Sequence, residues 1–433
     1  MRARNRELIG LIPASLLVTA GFAGVFIQRS NALSNVSLTY GAIFLGLCLA
    51  AHVFLRMTLP HADPYMFPLV AVLASFGLVM VYRIDSTLAR QQAQWFVLGL
   101  ILFAATIVVF RDYRKLEQYR YTIVLVSLGL MILPRLPVIG YQANGAYLGV
   151  RIPGLFVFQP PEFAKIGLVI FLASYLRDTR QVLVMGARRV LGVTIPPIKQ
   201  FGPVVVIWGL AMAILVVLSD IGSSVMFYGA LLAMLYVATN RVSFVVVGVL
   251  AAAIGFWYLG THIPHVHARV ESWLHPFDKS LYDAALGSYQ VANSLFAQAA
   301  GGMFGQGFGE AVLTFPGGGP LLPFPQTDMV YAVITDELGL FGASAVLLTY
   351  LIFIWRGFKT ALLARDSFSK LMVTGLTAMF ALQVFVIVGG VTRVIPLTGV
   401  TLPFISYGGS SIVANFVLLA LVLLASDRAR RPQ

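Results

Sequence analysis

The sequence predicts an all-α, polytopic membrane protein with about twelve transmembrane helices, and three observations predict it. Of its 433 residues, 59% are hydrophobic and 11% charged, whereas a soluble domain carries about 25% charged residues. Apolar windows close to the roughly 20 residues that cross a ~30 Å hydrocarbon core recur along the whole chain. The lysines and arginines between those windows are unevenly shared, as they are in chains oriented by a membrane.

The windows fall at about 8–27, 38–55, 65–82, 93–110, 121–134, 162–176, 203–219, 222–238, 242–260, 327–355, 371–390 and 406–426. The first follows Arg2, Arg4 and Arg6. It outlasts the ~7–15 residues of a signal-peptide core, and no small-residue cleavage site follows closely, so it reads as a retained span. Cys48, the single cysteine, lies in an apolar run and can form neither an internal disulfide nor a metal cluster.

An even number of spans puts both termini on one side. Loops on that side hold 21 of the 30 lysines and arginines, the opposite loops hold 8, and Lys165 falls inside a span. The positive-inside rule then makes both termini cytoplasmic. The net charge of +13 is therefore loop charge, and nucleic-acid binding is the weaker reading.

The longest connection, about 261–326, is extracytoplasmic in this arrangement, and connections of such length are usually functional. Its start, HIPHVHARVESWLHPF, reads as a short amphipathic helix with Trp273 as an interfacial anchor. Its end, FPGGGPLLPFPQ, is too rich in Gly and Pro for a continuous helix. The stretch HPFDKSLYDAALGSYQ carries two acids, Asp278 and Asp283, for which a solvated loop carboxylate is the ordinary reading.

Three further groups of polar residues stand where they are costly. In QPPEFAKIGLVIF, Pro160 and Pro161 suit a helix start, and Glu162 and Lys165 are close enough to pair on one face. They read equally as a structural ion pair and as a charged cavity wall. Asp220, in a short outer turn, reads first as a helix cap. In FPQTDMVYAVITDELG, Asp328 sits at a span entrance with Thr327 placed to cap, while Asp336 and Glu337 lie deeper and need partners or water.

Two motifs fail. GGMFGQGFG has no preceding strand and no Walker lysine, so its glycines serve tight packing or turns. His262, His265 and His267 are irregularly spaced and read as solvated rather than metal-bound.

Five segments, in order, resemble the SEDS family of peptidoglycan polymerases, which includes RodA, FtsW and their sporulation relatives. They are QPPEFAKIGLVIFLASYL, SDIGSSVMF, GSYQVANSLFAQAAGGMFGQGFG, FPQTDMVYAVITDELGLFGA and PLTGVTLPFISYGGSSIVANF. The resemblance implies a ten-helix core over 65–426, two additional N-terminal helices in 1–64, and a basic cytoplasmic tail at 427–433. The chain departs from the family at Pro161, where a serine is usual, and at LGVRI, where an Arg-Trp pair is usual. The stretch from Pro276 to Tyr289 is also longer. The family's essential aspartate falls on Asp283 when counted back from Tyr289 and Gln290, and nearer Asp278 when counted forward from Trp273. Asp283 is preferred because its anchor is closer.

The resemblance implies lipid II as substrate and a β-1,4 glycan as product, with undecaprenyl pyrophosphate released at the outer face. A sugar hydroxyl is a weak nucleophile, so a carboxylate acting as general base is the minimal requirement. Asp283 takes that role, with Asp278 as second choice. Lys165 with Arg151 or Arg393, or a divalent cation (Mg or Mn) near the outer acids, would stabilise the departing pyrophosphate. No organic cofactor is expected. Tyr289, Gln290, Ser406 and Ser410 join Glu162, Asp220, Thr327 and Asp328 as cavity-lining or substrate-binding residues. The implied partners are a class B penicillin-binding protein and other elongasome or divisome membrane proteins. No Ser-x-x-Lys nucleophile stands in an outer loop, consistent with a separate transpeptidase. The competing reading is a lipid II flippase, whose binding site would lie near the midplane between internal repeats; no such repeat is evident. A purely structural scaffold would leave the outer acids without a role.

Overall fold

A computed structural model describes residues 2–30, 35–137, 139–143, 146–151, 157–185, 188–190, 193–195, 198–284, 287–315 and 319–432. Every apolar window becomes a helix. They are α1 (Arg2–Ser30), α2 (Asn35–Thr58), α3 (Met66–Ile84), α4 (Ser86–Val109), α5 (Arg120–Ile132), α6 (Pro160–Met185), α7 (Ile198–Val217), α8 (Ile221–Thr239) and α9 (Val242–His262). Then follow three shorter helices, α10 (Pro264–Leu274), α11 (Lys279–Tyr282) and α12 (Tyr289–Gly301), and the long α13 (Val330–Leu363), α14 (Ser367–Val391) and α15 (Gly409–Arg430). Among the described residues, 10 helical segments are long and apolar enough to cross a membrane, and the apolar part of α7 is shorter. The chain is an all-α, multi-pass membrane protein.

Local chemistry sets several helix ends. The Asp85 carboxylate accepts from the backbone N–H groups of Thr87 and Leu88 and starts α4. Asn240 closes α8 in the left-handed region, at φ 52°, which Asn tolerates better than most residues. The long connection opens with the expected short helix, α10.

Among the described residues five short strands occur, which span-length hydropathy does not predict. β1 (Gly140–Ala143), β2 (Ala146–Arg151) and β3 (Val157–Phe158) form an antiparallel sheet in the order β1-β2-β3. β4 (Arg188–Val190) and β5 (Val193–Ile195) form a hairpin. Runs this short leave no mark on a span-length hydropathy window.

The chain separates into two compact units. Residues 112–267 and 357–382 form one, in which α6 packs on α5, α7 and α8. Here Gly167 lies against Ser127, and the Tyr113 hydroxyl meets Ser369 Oγ at 2.6 Å. Lipid tails are as apolar as leucine, so contacts of small residues and interhelical hydrogen bonds, rather than hydrophobic burial, hold such helices together.

Residues 1–111, 268–356 and 383–433 form the other unit. Here α15 is buried along most of its length and packs on α4, while α1 packs on α2 and α3. Gly99 gives room to Phe416, which meets Phe96 edge-on at 5.5 Å. The two N-terminal helices therefore belong to the same body as α3, α4 and α15. Near both chain ends, the Arg4 guanidinium donates to the Ala62 carbonyl and pairs with buried Glu7, which also meets His52 Nδ1 at 2.8 Å. One residue along, fully buried Asp63 accepts from Arg356 and Arg430, at 2.9 and 2.8 Å.

α13 is two helices merged across Gly339, whose φ of 64° and ψ of −167° are not helical. The glycine stretch GGMFGQGFG fills the break. Leu340 and Phe341 donate to the carbonyls of Gly302 and Met303, and Gln306 and Gly307 donate to those of Asp336 and Glu337. Gly305 (φ 82°) and Gly339 approach so closely that a Cβ on either would strike the other strand's backbone. The glycines serve close packing, as the motif's failed phosphate reading implied.

Candidate active site

The acid-bearing loop runs from α10 through α11 to α12, within the unit that holds α1 to α4. Asp278 is the N-cap of α11: its Oδ1 accepts from the Ser280 N–H at 2.9 Å and from the Ser280 hydroxyl at 2.8 Å. Those hydrogen bonds hold its carboxyl below the usual carboxylate range. Asp283 lies at the other end of the same turn, exposed. Its carboxylate makes no hydrogen bond or ion pair among the described residues.

Close packing fixes the turn that carries it. Ser288 N–H donates to the Leu281 carbonyl at 3.0 Å, and Gly287 lies so near that carbonyl that a Cβ has no room. Tyr282 and Tyr289 stack obliquely at 5.0 Å, and Asn293 Nδ2 donates to the Tyr282 hydroxyl at 3.1 Å. The Tyr289 hydroxyl donates to the Pro320 carbonyl at 2.6 Å, fastening the start of α12 to the Gly/Pro-rich stretch. That stretch is irregular as expected where described; Pro316, Gly317 and Gly318 lie outside the described residues. Gln290 is half-buried in the first turn of α12.

Asp328 lies just before α13. Desolvation pushes its carboxyl up to about 6, against the opposing pull of Arg269. Gly399, at φ 75°, lies where a Cβ would come 3.4 Å from Asp328 Oδ2. Arg269 Nη1 donates to the neighbouring Thr398 carbonyl at 3.1 Å. The expectation that Thr327 caps α13 is corrected: the helix starts at Val330, and the Thr327 hydroxyl turns back to the Phe324 carbonyl at 3.3 Å. The chain turns there for several residues before it becomes helical at Val330.

Ser406 ties this corner to the segment PFISYGGSS. Its hydroxyl donates to the Thr327 carbonyl at 2.7 Å and accepts from the Leu402 N–H at 2.9 Å, while Gln92 Nε2 donates to the Ser406 carbonyl at 3.1 Å. Ser406 and Ser410 are both buried, and Ser406 braces the corner. A narrow crevice adjoins them, lined by Phe44, Leu78, Gln92, Phe96 and Phe404. It is apolar except for Gln92 and holds none of the acids.

Arg393 and Trp273 clasp one another. The indole N–H donates to the Arg393 carbonyl at 3.0 Å, and Arg393 Nε donates to the Trp273 carbonyl at 2.8 Å. Arg393 Nη2 also donates to the Leu274 carbonyl at 2.9 Å. Trp273 thus spends its polar edge on the protein, and Arg393 spends two donors on fixing the end of α10.

The remaining candidates belong to the other unit. Lys165 is buried, 2.7 Å from Glu162 Oε2 in the first turn of α6. Arg151 lies over the Tyr141 ring at 4.6 Å, within the small sheet. Asp220 caps α8, accepting from the Ser223 N–H at 2.9 Å and from the Ser223 hydroxyl at 2.6 Å. Asp220 is thus a helix cap, and Glu162 and Lys165 are an ion pair.

No group of three or more His, Cys, Asp or Glu that could hold a metal ion occurs among the described residues. His267 Nδ1 instead meets the Gly260 carbonyl at 3.0 Å. A metal enclosed by protein ligands alone does not fit these residues; one shared with substrate phosphates needs only one or two carboxylates and does fit. Sequence reasoning missed Arg269, Gln92 and Arg83. Each is a single polar residue in an unremarkable run, and only its distant partner marks it.

Residues 63–431 match the family model for the cell cycle proteins FtsW, RodA and SpoVE. The chain is 38% identical to the peptidoglycan glycosyltransferase RodA of Mycobacterium tuberculosis over 99% of its own length and 92% of that protein's. It is 30% identical to the stage V sporulation protein E of Bacillus subtilis, over 85% of its length and 98% of the relative's. Among solved structures, a chain of a peptidoglycan synthase complex that coordinates polymerization and crosslinking is 25% identical, with a TM-score of 0.68, covering 86% of this chain and 99% of that one. The rod shape determining protein RodA of Thermus thermophilus has the same fold, with a TM-score of 0.60 over 86% of this chain and 98% of its own.

Proposed function

The chain belongs to the FtsW, RodA and SpoVE family, and from that premise we propose that this peptidoglycan glycosyltransferase extends β-1,4 glycan strands from lipid II. The reaction takes place at the outer face of the cytoplasmic membrane, with both termini cytoplasmic. The excess of lysine and arginine in the loops on the termini's side supports that orientation. So does the shared anchoring of Arg4 and Arg430 on the adjacent residues Ala62 and Asp63.

One observation carries the choice of base. Of the two loop acids, Asp278 is committed to its cap, whereas Asp283 presents an exposed carboxylate with no partner among the described residues. Asp283 takes the proton from the 4-hydroxyl of the acceptor GlcNAc as its oxygen attacks C1 of the donor MurNAc. The C1–O bond to the diphosphate breaks from the opposite face, so the configuration inverts and the electron pair leaves with the diphosphate. Arg269 and the remaining N–H groups of Arg393 are the cations of this unit that would stabilise the developing charge. A magnesium or manganese ion arriving with the diphosphate, held chiefly by the phosphate oxygens, would supply further neutralisation. The tyrosine pair at 282 and 289 forms an apolar wall suited to a sugar face.

The partner we propose is a class B penicillin-binding protein, in keeping with the crosslinking activity of the similar solved complex. The test is glycan polymerisation from purified lipid II by the full chain with that partner, in wild type, Asp283→Asn and Asp278→Asn. Polymer from wild type and Asp278→Asn, but not from folded Asp283→Asn, supports the assignment. Loss confined to Asp278→Asn moves the base to that acid. No polymer from wild type, with lipid II crossing vesicles instead, makes the chain a transporter.

A further inference from the structure

We infer that Arg83 is a positioning residue for this reaction: it locks the break in α13 to the glycine loop, and so sets where α12 and the Asp328 segment present their side chains. The inference rests on the glycosyltransferase reading above. Arg83 stands in the last turn of α3. Its Nε donates to Glu337 Oε1 at 2.8 Å, and its Nη2 donates to the carbonyls of Gly309 and Ala311 at 2.6 and 2.8 Å. Three elements distant in sequence thus meet on one planar guanidinium, whose fixed fork a lysine cannot reproduce.

The place is costly to build. Glu337 is 1% exposed and Asp336 7%. Asp336 Oδ1 and Glu337 Oε2 have no hydrogen-bond partner among the described residues. A protein retains buried acids beside a broken helix only where something holds them, and Arg83 is the cation that does so here. The glycine loop supplies the backbone partners that α13 loses at Gly339, so loop and break form one hydrogen-bonded body, with Arg83 as its bolt to α3.

The loop's two ends lead to the candidate site. Upstream it continues directly from α12, whose first residues are Tyr289 and Gln290. Downstream it runs through Pro320, which accepts from Tyr289, to Asp328. The two N-terminal helices close the other side. Phe308 of the loop lies against Gly24 of α1, and Tyr82, beside Arg83, packs edge-on against Phe22 at 4.8 Å. The likeness to the FtsW, RodA and SpoVE model starts only at residue 63. The added helices therefore cover the element that Arg83 anchors.

The experiment uses the full chain with its transpeptidase partner and compares Arg83→Lys, Arg83→Gln, Glu337→Gln and the double variant Arg83→Gln/Glu337→Gln. Two quantities are read: kcat and KM for lipid II, and the rate of proteolysis within residues 302–313. A misplacement of about 1 Å costs up to ~100-fold in rate. We expect kcat to fall about ten- to a hundredfold in Arg83→Lys, with KM within about twofold and the melting temperature little changed. Loop cleavage rises in step. The double variant is no worse than the worse single one, because the two residues act as a unit. Wild-type kcat and wild-type cleavage in Arg83→Lys overturn the inference, as do additive losses in the double variant. Activity that falls only in proportion to folded protein overturns it too. If wild type makes no polymer, the glycosyltransferase reading fails, while the cleavage measurement still decides whether Arg83 holds the loop.

Discussion

Trp273 and Arg393 each donate a hydrogen bond to the other's backbone carbonyl, at 3.0 and 2.8 Å, across 120 residues of chain. The exchange joins the end of α10, from which the acid-bearing loop departs, to the turn after α14. Arg393 adopts a φ of 60° to reach it, a conformation few residues other than Gly, Asn and Asp take readily. The strain is held by three hydrogen bonds from two side chains. Arg393→Ala should loosen the loop and lower polymerisation about tenfold, equivalent to ~1.4 kcal/mol of barrier. Arg393→Lys should not restore it, because a single ammonium cannot reproduce the fork. Initial rates over a range of lipid II concentrations check both.

The two loop acids should separate sharply. Asp283→Asn removes the base and should cost ~10²–10⁴-fold in rate. Asp278→Asn should remain close to wild type, because Asn caps a helix about as well as Asp. Asp278→Ala, which removes the cap, should show a lower melting temperature and a smaller loss of rate. Equal losses from both Asn variants would contradict the assignment of roles.

Asp328 gives the protein a pH signature. Its carboxyl titrates near 6 in the folded chain against 3.8 for an unperturbed aspartate. The folded state therefore holds the proton more tightly. The associated stability is present below about pH 4 and is lost as pH rises through 6. The full shift corresponds to ~3 kcal/mol, and solvent access to the half-buried group reduces it to ~1–2 kcal/mol. Asp328→Asn should abolish that slope. Detergent melting curves of both proteins from pH 4 to 7.5 test it: the difference between them should widen through this window and level off above it.

The Glu162–Lys165 pair offers a test of structure against chemistry. Glu162→Gln takes the carboxylate away from a buried ammonium, and breaking a buried pair typically costs ~3–5 kcal/mol. The double variant Glu162→Gln/Lys165→Met should recover much of that stability, because no buried charge remains. If it regains polymerisation as well, the pair is a brace. If it melts like wild type and stays inactive, the charges take part in binding.

Gly339→Ala should be the most damaging single-methyl change in α13. A Cβ there meets the Gly305 nitrogen and the Met303 carbonyl, at a φ of 64° that alanine disfavours. A loss of ~1–3 kcal/mol is expected from the backbone alone. Faster proteolysis of the glycine loop should accompany the lower melting temperature.

Much of this was legible in the chain. The helix at each of the twelve apolar windows, ten of them long and apolar enough to cross a membrane among the described residues, the short helix α10 and the irregular Gly/Pro stretch followed from patterns in which each residue contributes on its own. Asp220 as a cap and Glu162 with Lys165 as a pair were legible because their partners lie three residues away. Thr327 was misjudged because its orientation depends on where the chain bends before α13. The five short strands and the break at Gly339 escaped for a related reason. Strands of two to six residues fall below any span-length window, and a glycine inside an apolar helix does not announce a positive φ.

Sequence by itself determined that this chain lives in a membrane, which loops carry its positive charge, and that Asp278 and Asp283 stand in its longest connection. Those are consequences of composition and of short-range periodicity, which a lipid environment enforces residue by residue. Only the tertiary structure decided that Asp278 is a cap while Asp283 stands unpaired, and that Arg83 reaches Glu337 across 254 residues. Whether a carboxylate is spent on a neighbour or left open depends on which groups arrive beside it. Contacts between distant segments set that, and no local pattern records them.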